Sequence, residues 1–227
     1  MDFAQARDTM VETQLRTNKV VDPQVIAAFA ETPREIFAPP GRRAVAYTDE
    51  DLSLGGGRWL TAPMTLARLV QAAAATPHSI ALVVGAATGY AAAILSKLAQ
   101  TVFAMDVDRD ALTATANAWA AHGFDNIVVV DGHVVDGAPD HAPFDVILID
   151  GAVETEPKTL LGQLADGGRL ACVRREAYDP AKISGLQGGV GRAGLYTKAA
   201  GVIGWRTIFD AHTPLSPGFG AQREFAL

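Results

Sequence analysis

The sequence predicts an α/β fold, a three-layer sandwich built on a mostly parallel sheet, and three observations carry that expectation. From residue 79 onward, apolar runs of strand length alternate with stretches of helical spacing. The runs "SIALVVG", "NIVVVDG" and "FDVILIDG" are continuously apolar rather than alternating, the pattern of strands buried on both faces. The first run ends in glycine just before a helical stretch, which puts a turn at the carboxyl end of a strand.

Taken in order, the segment up to about Pro40 reads as helices. Met10, Val11 and Leu15 share one helical face, and Asp22-Pro23 caps and opens "QVIAAFAE". Pro39-Pro40-Gly41 breaks the chain, and residues 42–60 read as an extended loop whose end is loosened by Gly55-Gly56-Gly57. A helix begins at Pro63. After Pro77 the period changes. "SIALVVG" is the first core strand and "YAAAILSKLA" a helix with Thr88 as its N-cap. "TVFAMDVD" and "RDALTATANAWAAHG" are the next strand and helix, the latter ended by Gly123. "NIVVVDG" and "FDVILIDG" follow as strands, "PKTLLGQLADGG" as a helix and "GRLACVRR" as a strand. "GLYTKAA" and "GWRTIFDA" are expected to pair antiparallel, with "REFAL" as a short last strand. Residues 1–76 are thus N-terminal helices and a loop, residues 77–227 an α/β core, and the whole is expected to form one domain.

A chain of 227 residues with 49% hydrophobic content can bury a substantial core. The net charge of −6, with Lys and Arg scattered, argues against nucleic acid as a partner. The single cysteine, Cys172 in "RLACV", permits no disulfide within the chain and reads as a buried thiol. "MDFAQARDTM" lacks the character of a signal peptide, and no apolar stretch approaches the ~20 residues that span a bilayer. A cytoplasmic protein with no membrane partner is expected, and no metal site.

Open α/β sheets bind ligands at the carboxyl ends of their strands, near the point where strand order reverses. Three loops should meet there. Gly85-Ala86-Ala87-Thr88-Gly89 offers close backbone approach and a helix N-terminus. Asp106, 21 residues beyond Gly85, has the spacing of a carboxylate that hydrogen-bonds ribose hydroxyls. Asp131-Gly132-His133 forms the third loop, and Asp150-Gly151 lines the same rim. The combination supports an adenosine-type ligand, either a nicotinamide dinucleotide or S-adenosylmethionine. A dehydrogenase is disfavoured by the lack of a Tyr-x-x-x-Lys pair, since "YTK" at Tyr196–Lys198 has the wrong spacing.

The order of motifs resembles the protein-L-isoaspartate O-methyltransferase family over most of the chain. "MVETQLR" and "DPQVIAAFAETPREIFAPP" resemble the family's opening helices, and "AYTDEDLSLGGGRWLTAP" its substrate loop, AY-D--LPIG-GQTISQP. "ALVVGAATGYAAAILSKLA" is similar to the first cofactor motif, LEIGTGSGYQAA-LA, and "HAPFDVILIDGA" and "LLGQLADGGRLACV" to later segments. The resemblance implies a Rossmann-like methyltransferase. It would move a methyl group from S-adenosylmethionine to the carboxylate of isoaspartyl residues in damaged proteins or peptides, and a monomer is expected.

Residue by residue, the resemblance implies that Thr61 keeps the hydroxyl of the "TIS-P" position, in contact with the acceptor or the transferred methyl. A structural role for Thr61, capping the Pro63 helix, is the alternative. Arg58 and Trp59 replace Gln-Thr at the acceptor side, where Arg58 can pair with a carboxylate and Trp59 can fill the pocket. The cofactor positions are Val83, Gly85, Ala87, Gly89, Asp106, Gly132 and His133. Three depart from the family pattern: Val83 stands for an acidic residue that orients the cofactor's amino-acid end, Ala87 for glycine, and His133 for aspartate. Losing two or three such contacts, at ~1 kcal/mol each or more, weakens binding ~10²-fold. An inactive family member with a binding or regulatory role is the alternative to an enzyme.

Overall fold

The computed structural model describes residues 1–176 and 190–221. Proline at N1 and the Asp22 carboxylate, which accepts from the backbone N–H groups of Gln24 and Val25, start α2 (Pro23–Glu31), which follows α1 (Phe3–Met10). Between them the helix continues as a π turn over Val11–Leu15 and a 3₁₀ turn over Arg16–Asn18. Two further 3₁₀ turns, Arg34–Phe37 and Pro40–Val45, precede a short antiparallel hairpin of β1 (Leu52–Gly55) and β2 (Arg58–Leu60). The segment read as an extended loop therefore holds local structure. Gly55, Gly56 and Gly57 all take positive φ and turn the hairpin, a run that only glycine makes without strain.

The remaining elements are α3 (Pro63–Ala73), β3 (Ile80–Val84), α4 (Tyr90–Ser96), β4 (Thr101–Met105) and α5 (Arg109–Ala121). After them come β5 (Ile127–Val129), β6 (Phe144–Val153), α6 (Lys158–Gly162), β7 (Leu164–Arg174), β8 (Gly191–Ala199) and β9 (Val202–Ala211). The sheet order is β5-β4-β3-β6-β7-β8-β9. The first five strands of that order run parallel, while β7, β8 and β9 pair antiparallel. Strand order reverses at β3, which has β4 on one side and β6 on the other, and parallel open sheets present ligand sites at such a point.

Strand parity divides the core. Ala81 and Val83 pack with the N-terminal helices, α3, α4 and α5, while Leu82 and Val84 pack on the other face with Phe144, Leu160 and Tyr196. Cys172 is fully buried in the second cluster, and burial pushes its thiol pKa up to about 12. Among the described residues the second helical layer is thin, because the predicted "PKTLLGQLADGG" helix stops at Gly162. A bulge takes over: β6 and β7 pair Phe144 with Leu164 and next Val146 with Arg169, with Gly167 at φ 83 in between. The β8–β9 pair forms as expected, and "REFAL" lies outside the described residues. Among the described residues, no helix is long and apolar enough to cross a membrane.

Candidate active site

The β3 strand ends at Gly85 (φ 72), and the loop passes through Ala87 (φ 50) to Gly89 (φ 88), which caps α4. Thr88 is not the cap: its hydroxyl is buried without a hydrogen-bond partner. Gly89 is required by packing. The Trp119 indole lies where a Cβ would point, and its Nε1–H donates to the Gly89 carbonyl at 3.2 Å. Gly89→Ala is expected to cost about 2 kcal/mol in urea unfolding, because a methyl group there meets an immovable ring. Ala87→Gly should change stability by less than about 1 kcal/mol, since relief of the positive φ offsets the added freedom of the unfolded chain.

Asp106, just past β4, ties this loop to its neighbour. Its Oδ2 accepts from the Ala87 N–H at 2.8 Å and its Oδ1 from the Asp108 N–H at 2.9 Å. Burial raises its pKa, while these two backbone bonds and Arg58 act to lower it. Asp108 in turn caps α5 through the Ala111 N–H and pairs with Arg58 Nη2 at 3.0 Å. Arg58 therefore reaches from the β1–β2 hairpin across the tip of β4, and its Nη1 is buried without a partner.

Thr61 is buried, and its hydroxyl does not cap α3. Asp51 and Asp49 do that work, accepting from the Ala62 N–H at 2.8 Å and the Met64 N–H at 3.0 Å. The Thr61 hydroxyl instead donates to Asp150 Oδ1 at 2.5 Å, joining the segment after β2 to β6. Asp150 is fully enclosed, and burial pushes its carboxyl pKa up to about 7 against the lowering effects of Thr61 and Arg34.

Arg34 fixes the backbone on which Thr61 sits. Its side chain is 0% exposed and donates to the carbonyls of Ala46 at 2.6 Å and Thr61 at 2.8 Å. The guanidinium lies 4.8 Å from the centre of the Tyr90 ring, and burial lowers its pKa.

A strap from Thr213 to Pro217 closes the front. The Ala152 N–H donates to the Pro214 carbonyl and the Ser216 N–H to the Ala152 carbonyl, each at 2.8 Å. Ser216 fills the space beside Gly85 and Gly151, where a Cβ would lie 2.7 Å from its Oγ and 2.9 Å from its Cβ respectively.

One pocket thus brings together Arg58, Trp59, Thr61, Gly85, Ala87 and Asp106, with Asp150 and the strap added. Val83, Gly89, Gly132 and His133 do not line it. Val83 is fully buried in the core, Gly89 packs on Trp119, and Gly132 and His133 sit exposed on the loop after β5. Sequence reasoning missed Arg34, the Thr61–Asp150 bond and the strap. The only signal among them was the strand-end pair Asp150-Gly151.

The donor set suits a nucleoside that carries positive charge. Two buried carboxylates face a glycine turn, and the buried polar atoms without partners among the described residues include Arg58 Nη1, Thr213 Oγ1 and Ser216 Oγ in the pocket wall and Thr88 Oγ1 in the adjoining loop. The cavity itself is ≈ 10 Å³, room for about one water, so the hairpin or the strap has to move outward to admit such a ligand.

A glycine loop at the switch point of a parallel sheet, a carboxylate at the end of the next strand and an antiparallel edge hairpin define the class as Rossmann-like methyltransferases. The family model for protein-L-isoaspartate(D-aspartate) O-methyltransferase (PCMT) matches residues 5–178, and the chain belongs to that family. It is similar to the protein-L-isoaspartate O-methyltransferase of Synechococcus sp. (strain JA-2-3B'a(2-13)), 36% identical over 82% of this chain and 76% of the relative. The Koribacter versatilis protein of the same name is 40% identical over 74% of this chain and 76% of its own length. Among solved structures, a protein-L-isoaspartate O-methyltransferase superposes with a TM-score of 0.75 at 23% identity, covering 94% of this chain and 67% of the other. A Plasmodium falciparum structure described under the same activity, in complex with S-adenosyl-L-homocysteine, gives 0.72 at 18% identity over 92% of this chain and 97% of its own. These two likenesses bear on the fold.

Proposed function

We propose that the protein methylates the carboxylate of isoaspartyl residues in damaged proteins or peptides, using S-adenosylmethionine, as a cytoplasmic monomer of a single domain. The observation that carries this reading is the convergence of Thr61 with Gly85, Ala87 and Asp106 in one pocket at the switch point of a chain in this family. When bound, the methyl donor supplies an electrophilic methyl: the carbon–sulfur bond breaks with its electron pair left on sulfur, and a carbon–oxygen bond forms to the acceptor. The acceptor carboxylate is already ionised, so no strong base is needed and the protein's task is to orient reactants and exclude water.

The residues divide that task. Gly85 and Ala87 let the backbone approach the nucleoside, and Asp106 offers its free lone pairs to ribose hydroxyls. Arg58 and Trp59, at the hairpin, flank the acceptor side. Arg58 has a buried, unpartnered Nη1 to offer a carboxylate once the hairpin opens. Gly89 sets the helix that begins the site, and the outer loop of Gly132 and His133 is assigned to the adenine side. Val83 supplies only core packing.

Calorimetric titration with S-adenosylmethionine, followed by incubation with an isoaspartyl peptide and assay of base-labile methyl ester, tests the reading. Binding and ester formation are expected, with Thr61→Val lowering ester formation at least ~10-fold through loss of a positioned hydroxyl. No heat and no thermal shift at millimolar ligand would point to the inactive alternative. Binding without ester would mean another acceptor.

A further inference from the structure

Asp150 stands one residue past the last β3–β6 pair, Val84 with Ile149, and so at the rim beside Gly85. A Cβ at Gly85 would lie 3.3 Å from the Asp150 carbonyl oxygen. The carboxylate faces the pocket that also holds Thr61, Ala87 and Asp106. Among the described residues its one hydrogen-bond donor is the neutral Thr61 hydroxyl, and none of the ion pairs includes it. Arg34 is the cation whose field reaches it, but no hydrogen bond joins the two: its Nε and Nη2 donate to the carbonyls of Ala46, Leu60 and Thr61, and its buried Nη1 has no partner among the described residues. A buried carboxylate without a cation is costly to keep charged, and it is stabilised by a cation that enters the same enclosure. Val83 brings no charge to this rim, because its side chain is aliphatic and packs in the core.

We propose that Asp150 is the anchor for the ammonium group at the amino-acid end of the methyl donor, supplying from β6 the charge that β3 does not carry. This rests on the methyl-donor reading above. The groups around Asp150 are the Thr61 hydroxyl, Arg34 of the 3₁₀ turn, Asp51 before β1 and Asp106 past β4, with Arg58 lining the same pocket. The strap and the β3 loop add no titratable side chain. Because the enclosed carboxyl holds a proton near neutrality, an arriving ammonium expels it, and binding releases protons.

The test is calorimetry at pH 7 in two buffers of different ionisation enthalpy, on the full chain and on Asp150→Asn. The variant is isosteric and still accepts from Thr61. The probes are S-adenosylmethionine, S-adenosylhomocysteine and 5′-methylthioadenosine, which lacks the amino-acid end. The expected result is a drop in affinity of about 10- to 100-fold for the first two, no change for the third, and loss of the proton release seen with the wild type. An unchanged affinity for S-adenosylmethionine overturns the proposal, as does an equal loss with 5′-methylthioadenosine. A loss confined to S-adenosylmethionine also overturns it, because the contact would then be with the sulfonium. A wild-type protein that binds none of the three overturns the methyl-donor reading itself, and the proposal with it.

Discussion

Asp150→Asn is expected to stabilise the protein at pH 8 by about 4 kcal/mol relative to its effect at pH 4. The carboxyl is buried without an ion-pair partner, so the folded state holds its proton up to a pH of about 7, whereas an unfolded aspartate releases it near its ordinary value of 3.8. Between those values the folded state binds more protons than the unfolded one. The contribution of Asp150 to stability is therefore intact below the unfolded value, declines as pH rises through the folded one, and stays unfavourable above it. Asparagine does not ionise, so the variant escapes that decline. Urea unfolding of both proteins at pH 4, 6 and 8 reads the effect directly. A difference that does not vary with pH would show that Asp150 is not the buried titrating group. A difference that grows with pH makes the wild-type carboxylate a residue that lowers stability where ligand has to bind, a common bargain at functional sites.

Arg34→Met should cost about 3–5 kcal/mol, the range for removing a buried charged group that satisfies several acceptors. The carbonyls of Ala46 and Thr61 lose their donor inside the core, and the Tyr90 ring loses its cation. The variant also removes the positive charge that lowers the pKa of Asp150. The two sites should therefore be coupled. At pH 8, Arg34→Met is expected to cost about 1 kcal/mol less in the Asp150→Asn background than in the wild type, as measured by a double-mutant cycle of urea unfolding. Strict additivity would mean that Arg34 acts only through the carbonyls.

The parallel core was legible because its signals are local. "ALVV" and "VILI" read as doubly buried strands, and each packs on both faces. The β1–β2 hairpin was hidden because its strands are only four and three residues long, although the glycine run between them marked a turn. Thr88 looked like a cap by residue type, but the positive φ at Gly89 sets the start of α4. Gly85, Ala87, Asp106 and Thr61, singled out by pattern, line one pocket. The Thr61–Asp150 bond joins residues 89 apart in sequence, and Ser216 reaches Gly85 from the far end of the chain, so neither leaves a local trace. Val83 shows motif position and packing pulling apart. Motif position made it a ligand contact, and the alternation of strand side chains made it core.

The in-register pairing of β3 with β6 makes the rim modular by row rather than by strand. Val83 sits level with Leu148 and Val84 with Ile149, so Gly85 and Asp150, each next along its strand's path, open onto the same ledge. Ligand charge preference can then be rewritten on that ledge while the aliphatic ladder beneath it stays untouched.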